Sequence, residues 1–232
     1  MLAGDGYFAR TITVTTDVLM LLFLLVICPS IAYVAAIVAA DASKAWYWFV
    51  VICATLMFSL SQYFGIFRPT LRARASIRNK IVKSILLELR RELDQGNTNG
   101  SDLRLNVMDV TGGIIWNRYL SIVVCTDDYS EAETDLKWKY SQGACGLAWK
   151  GKEQVLSDTP DSYPHQTLDS QQKDICRKVK CVLSTPIQPK HRRVRGILNI
   201  DSTKKVARNA RLNKKYIQDI AQVYADMIAE LY

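Results

Sequence analysis

Histidine is scarce in this 232-residue chain, with only two, and neither belongs to a His-Glu-x-x-His run. That removes zincin-type hydrolysis, and no metal site is expected. A Walker-type phosphate loop and a nucleophile elbow are missing as well, so P-loop and α/β-hydrolase chemistry have no residues to work with. Six cysteines are present, but their spacing suits neither a zinc site nor a disulfide scaffold. Cys28 and Cys53 lie in apolar runs; Cys125, Cys145, Cys176 and Cys181 read as reduced thiols of a cytosolic compartment. The length leaves room for a small module and one ordinary domain, without a large catalytic region besides.

Charge is what the N-terminal part lacks most. Val18–Ala40 and Ala45–Phe67 contain no Asp, Glu, Lys or Arg over 23 residues each. As a helix each run would extend roughly 35 Å at about 1.5 Å per residue, enough for a hydrocarbon core of about 30 Å. Backbone crossing lipid must satisfy its own hydrogen bonds, so two helices are expected, antiparallel because only Asp41-Ala42-Ser43-Lys44 joins them. Trp46, Tyr47 and Trp48 stand where an interfacial aromatic belt belongs. The acidic start, with Asp5 and Asp17, and the length of the first run argue against a cleaved signal peptide.

The net charge of +8 is concentrated just behind these runs. Between Arg68 and Leu93 eight Lys/Arg face only Glu88 and Glu92, a net of +6. Arg68, Arg72, Arg74, Arg78, Lys80 and Lys83 are therefore expected at the membrane surface, against anionic headgroups. The positive-inside rule then places both termini in the cytoplasm, with two spans in the inner membrane. A nucleic-acid polymer is not the expected partner, because its binder would carry the basic patch on the folded domain. The segments expected are 1–17 cytoplasmic, 18–67 the hairpin (18–40 and 45–67), 68–95 a basic amphipathic helix and 96–232 a soluble domain. Domain output is expected through the hairpin or a separate partner, since no further module follows.

Leu71, Ala75, Val82, Leu86, Leu89 and Leu93 form a helical stripe, suited to a short coiled coil or to packing on a sheet. The turn cluster Gly96–Gly100 ends it. Strands are expected at Leu103–Val110, Tyr119–Cys125, Gln154–Ser157, Cys181–Gln188 and Arg195–Asp201, with a helix near Asp169–Val179. A last helix places Leu212, Tyr216, Ile220, Val223, Met227 and Leu231 on one face. The fold class is α+β: an antiparallel sheet with flanking helices, plus the N-terminal hairpin.

Four stretches then carry a resemblance: Gly143-Ala144-Cys145-Gly146-Leu147-Ala148-Trp149, Val155-Leu156-Ser157-Asp158, Val182-Leu183-Ser184-Thr185-Pro186-Ile187 and Gly196-Ile197-Leu198-Asn199-Ile200-Asp201-Ser202. Their order and spacing resemble the pattern of GAF domains over about residues 80–232. The resemblance implies five or six antiparallel strands. Terminal helices would lie on one face, often pairing two protomers, and a pocket would lie on the other. It also implies cyclic nucleotides, other small effectors or chromophores as ligands of relatives, some of which bind nothing; here a cyclic nucleotide or other small molecule is expected, and no cofactor. Candidate ligand residues are Trp116, Arg118, Trp138, Tyr140, Trp149, Asp158, Tyr163, Ser184 and Thr185; aromatic faces stack, Arg pairs with phosphate, hydroxyls and Asp fix ring edges. His165 reads as exposed, and each Trp competes with a plain core role.

Gly143-Ala144-Cys145-Gly146 is also similar to part of the free methionine-R-sulfoxide reductases, which have the same fold. Cys145 would attack, with Cys176 or Cys181 resolving, yet the expected Gly-His-Ile-Ala-Cys-Asp segment is absent. A non-enzymatic function is expected. The leading expectation is a membrane-anchored sensor or effector: a nucleotide-like signal alters hairpin oligomerisation and perturbs the bilayer, by analogy with antiphage effectors. The alternatives are a tethered dimeric interaction module without ligand and the thiol reductase.

Overall fold

The computed structural model describes residues 51–53, 55–57, 68–95, 102–112, 118–126, 128–157, 168–190, 192–204 and 211–232. The expected hairpin at 18–67 lies almost wholly outside these residues, and among the described residues no helix is long and apolar enough to cross a membrane. One compact unit takes in Ile77–Tyr232; the other is Ala9–Ser76.

The elements are α1 (Arg68–Gln95), β1 (Arg104–Thr111), β2 (Tyr119–Cys125), α2 (Glu131–Thr134), β3 (Lys137–Lys139), α3 (Gly143–Gly151), β4 (Val155–Ser157), α4 (Ser170–Lys178), β5 (Cys181–Ile187), β6 (Gly196–Ser202) and α5 (Lys215–Ala229). The six strands form one sheet in the order β3-β2-β1-β6-β5-β4, with every neighbouring pair antiparallel. The architecture is the α+β one expected, and its strand count matches the resemblance.

Side chains alternate across a strand, so each central strand serves two cores. Leu105, Val107, Leu183, Leu198 and Ile200 meet Val82, Leu86, Leu89 and Leu93 of α1 and Ile217, Ile220, Ala221, Ala225 and Ile228 of α5. The Val82, Leu86, Leu89 and Leu93 part of the stripe on α1 thus packs on the sheet. Met108, Leu120, Ile122, Val182 and Ile197 face the opposite way, toward Trp138 of β3, Ala144, Cys145 and Ala148 of α3, and Cys176 of α4. A register shift between Val107 and Met108 in the β1–β2 pair keeps Val123 and Val124 with the helix-side core and Ile122 with the other.

Of the face picked from the sequence for the last helix, Leu212 and Ile220 are buried, but three of its residues point outward. Tyr216, Val223 and Met227 are 60%, 57% and 50% exposed. The face against the sheet uses Ile217, Ala221, Ala225 and Ile228 at the same spacing. Alanines let the helix approach β5 closely, yet they weigh little in a hydropathy pattern, so the larger outward residues masked them.

Two glycines are required by geometry. At Gly196 a methyl group would overlap the Met108 carbonyl oxygen on β1. At Gly143 φ is +61° and a Cβ would sit 3.0 Å from the Trp138 ring. Gly143 lies beside the cavity described next.

Candidate ligand cavity

Between the sheet and α3/α4 lies a cavity of about 70 Å³, walled by Met108, Ile122, Trp138, Ala144, Cys145, Ile175, Cys176 and Val182 on its apolar side. Its other wall is polar: Arg104 and Asn106 of β1, Ser184 of β5, Asn199 and Asp201 of β6, with Tyr129 and Glu133 from the segment after β2. Strand register assembles this wall. Asn106 pairs with Asn199, and Asn199 with Ser184, in one cross-strand row; Arg104 stands opposite Asp201 in the next row along that face. Gln172 fastens the roof: within the N-terminal cap of α4 set by Asp169, its side-chain amide also donates to the Lys137 carbonyl at 2.7 Å.

The wall is one connected network. Arg104 donates through Nε to Asp201 Oδ1 at 2.8 Å and through Nη1 to Glu133 Oε1 at 2.9 Å, with its guanidinium 4.3 Å above the Tyr129 ring. Tyr129 donates to Asp201 Oδ2 at 2.7 Å and accepts from Asn106 Nδ2 at 2.8 Å. Asn106 Oδ1 accepts from Asn199 Nδ2 at 3.0 Å, and Asn199 Oδ1 accepts from Ser184 Oγ at 2.6 Å. Among the described residues of this wall Arg104 alone offsets the two carboxyl groups, and their environments push them apart. Full burial raises Asp201 above the usual carboxylate range, against the pull of Arg104 and the Tyr129 hydroxyl. Burial also opposes the Glu133 charge, but bonds from the Ser130 amide and hydroxyl and from Arg104 bring Glu133 below that range.

The cavity thiols are held protonated. Burial pushes Cys145 up to about 12 and Cys176 up to about 11, whereas attack on a sulfoxide needs a thiolate. Cys181 belongs to the helix-side core, across the sheet from Cys176. The environment works against the thiol reductase chemistry considered above.

Of the residues picked from the sequence, the structure brings Trp138 and Ser184 into the cavity wall. Thr185 is one residue on, so it faces the other way, where Gln154 Nε2 reaches it at 3.3 Å while also donating to the Gln218 carbonyl of α5. Tyr140, 54% exposed, and half-buried Trp149 make an edge-on pair 5.2 Å apart instead of lining the cavity. Arg118 is exposed just before β2. Trp116, Asp158, Tyr163 and His165 lie outside the described residues. In the basic collar Arg72, Arg74 and Lys80 are exposed, Lys83 is half-buried, and Arg68 opens α1. Arg78 turns inward: it is 9% exposed, bonds Asp109 Oδ2 at 2.8 Å, and lies over the Tyr232 ring, whose hydroxyl also bonds Asp109. Arg78 is thus engaged inside the GAF-like unit, unlike its exposed neighbours Arg72, Arg74 and Lys80.

No family model matches the chain, and no curated protein is significantly similar to it. Solved structures are. The GAF domain region of a candidate membrane protein from Geobacter sulfurreducens PCA is 15% identical with a TM-score of 0.51, over 70% of this chain and 97% of that one. A GAF domain/HD domain protein from Geobacter sulfurreducens is 12% identical with a TM-score of 0.47, over 65% and 90%. The type II free methionine-R-sulfoxide reductase from Thermoplasma acidophilum is 18% identical with a TM-score of 0.46, over 66% and 94%. At these identities the likeness is one of fold, and the fold is GAF-like.

Proposed function

We propose that the GAF-like unit senses a small molecule in this cavity and that the apolar segments preceding it tether it to a membrane. One observation carries the sensing role: Asn106, Asn199, Ser184 and Asp201 are all buried around a hollow on a face that apolar residues otherwise fill. Stability does not call for such a network, because well-packed apolar residues of similar volume stabilise a core as well or better. A convergent polar cluster in an apolar pocket is the pattern of a ligand site.

Size narrows the ligand. The cavity, at about 70 Å³, has about half the ~150 Å³ that admits benzene. Nucleotides and drug-sized ligands occupy sites of roughly 300–1,000 Å³. The hollow itself therefore takes a group of a few heavy atoms, either a small signal or one end of the nucleotide-like one expected from the sequence. The membrane part rests on the two uncharged runs and the basic collar, and the GAF domain region of a candidate membrane protein offers a parallel in fold. Binding would be read out through α1, which carries the chain from the apolar runs to the sheet, as a change in hairpin oligomerisation and bilayer integrity, by analogy with antiphage effectors.

A second reading, a tethered dimeric module without ligand, is favoured by the outward apolar residues Tyr216, Val223 and Met227 on α5 and Ile77, Ile81 and Leu87 on α1. Mass spectrometry of the detergent-extracted full chain separates the two. A small molecule that co-purifies with wild type and is lost in Ser184→Leu supports sensing; an empty wild-type protein that is a stable dimer supports the second reading. Sedimentation of the intact chain with membranes tests the tether, and a detergent-free soluble chain refutes it.

A further inference from the structure

The wall hydrogen bonds run in one direction. Asp201 accepts from Tyr129, so the tyrosine has no second proton to give, and Asn106 must present its amide nitrogen to the phenol oxygen. That orients Asn106 Oδ1 toward Asn199, which in turn must offer its nitrogen and keep its oxygen for Ser184. At the far end Ser184 has given away its only proton. The carboxylate thus sets the sense of every member of the chain, and with it what is left for an occupant. Each amide keeps one N–H, whereas Ser184, both amide oxygens and Asp201 keep lone pairs. In the wall itself Arg104 from β1 stands against Glu133 from α2 and Asp201 from β6, and α3 and α4 contribute the neutral thiols Cys145 and Cys176; the cations Arg177, Lys178 and Lys180 line a separate pocket on the outer side of Arg104 and Glu133.

Resting on the reading of this cavity as a ligand site, we infer that it selects a small planar hydrogen-bond donor, amidinium- or amide-like, and rejects anions of the same shape. An occupant that donates to Ser184 Oγ and the amide oxygens meets acceptors already aligned. An anion meets an acceptor-rich wall whose one guanidinium is engaged by two carboxyl groups. Ser184 and Asp201 act as specificity determinants, the first by touching the occupant and the second by setting the direction of the chain. In Asp201→Asn the new side chain can donate its own N–H to the Tyr129 oxygen, so the phenol can turn toward Asn106 and the sense of the row reverses.

The test uses isosteres. Acetamidinium and acetate share size and planarity, one offering only donors and the other only acceptors. Their affinities for the detergent-extracted full chain are measured by saturation-transfer NMR. Acetamidinium is expected to bind at least tenfold tighter than acetate, Ser184→Ala to weaken it about tenfold, and Asp201→Asn to narrow or invert the preference. Acetate binding as tightly as acetamidinium, or tighter, overturns the donor selectivity while leaving a ligand site in place. Failure of both to bind wild type overturns the ligand site itself. Should Asp201→Asn fail to fold, the Ser184→Ala result decides, and unchanged acetamidinium affinity there overturns the inference.

Discussion

Replacing Arg104 by Met removes the only cation among the described residues of the cavity wall and leaves Asp201 in the sheet. Arg104 is 7% exposed and bonds both Asp201 and Glu133, so the change strips a buried carboxylate of its ionic partner. Breaking a buried pair from one side typically costs about 3–5 kcal/mol. In a domain of this size that is a fall in Tm of roughly 6–20 °C, at about 2–4 °C per kcal/mol. The pH dependence gives the mechanism away. Asp201 already has its folded value raised by burial, and without Arg104 it rises further. A carboxyl group raised in the folded state holds more protons there than in the unfolded chain, so its contribution is full below the unfolded value and lost as pH rises through the folded one. The variant should therefore lose more relative to wild type at pH 8 than at pH 5. A second comparison guards against simple packing damage: Arg104→Met with Asp201→Leu should recover most of the loss, because an apolar pair can replace a buried ionic one. Thermal unfolding of the detergent-extracted chain at the two pH values reads this directly. A loss independent of pH, with no recovery in the double variant, would refute the electrostatic account of the wall.

Three further outcomes follow from the same structure. Gly196→Ala should destabilise by about 1–3 kcal/mol, the usual range for overpacking, because its methyl meets the Met108 carbonyl; chemical denaturation measures it. Leu86→Ala should cost about 2–5 kcal/mol, since the side chain is fully buried between α1 and the sheet, and should leave cavity binding intact. Cys145 and Cys176, pushed up to about 12 and about 11, should resist iodoacetamide at pH 7 in the folded chain and react on unfolding, as peptide mapping would reveal.

Much of the fold could be read from the sequence because the strands are bounded by turn residues and filled with β-branched ones; Tyr119–Cys125 is an example, observed over the range expected. The three-residue β3, Lys-Trp-Lys, is too short to show a period, and pairing with β2 defines it. The site was harder. Ser184 and Thr185 are chemically alike and adjacent, and only strand alternation puts one in the cavity and the other under α5. Arg104, Asn106, Asn199 and Asp201 are not among the candidate ligand residues, because polar residues in a strand usually face water; Asn199 and Asp201 enter only through the resemblance. Their signal is that they share a strand face with apolar residues, Met108 next to Asn106 and Ile197 next to Asn199, while the intervening residues are apolar too: both faces had to be buried, so the polar row had to be internal. Tyr129 reaches the wall from the turn before α2 and Glu133 from that one-turn helix, where the Ser130–Glu133 capping box marks a helix start but not a cavity wall.

The neighbouring pair on β5 offers the most direct test that the face toward α3 and α4, rather than the helix-covered one, takes the ligand. Acetamidinium binding to the detergent-extracted full chain is compared for Ser184→Leu and Thr185→Val by saturation-transfer NMR. The account predicts that Ser184→Leu, which fills the hollow, abolishes the signal, while Thr185→Val keeps affinity within about twofold, the spread expected for a site with no shared contact. Binding that survives Ser184→Leu, or is lost in Thr185→Val alone, would contradict it.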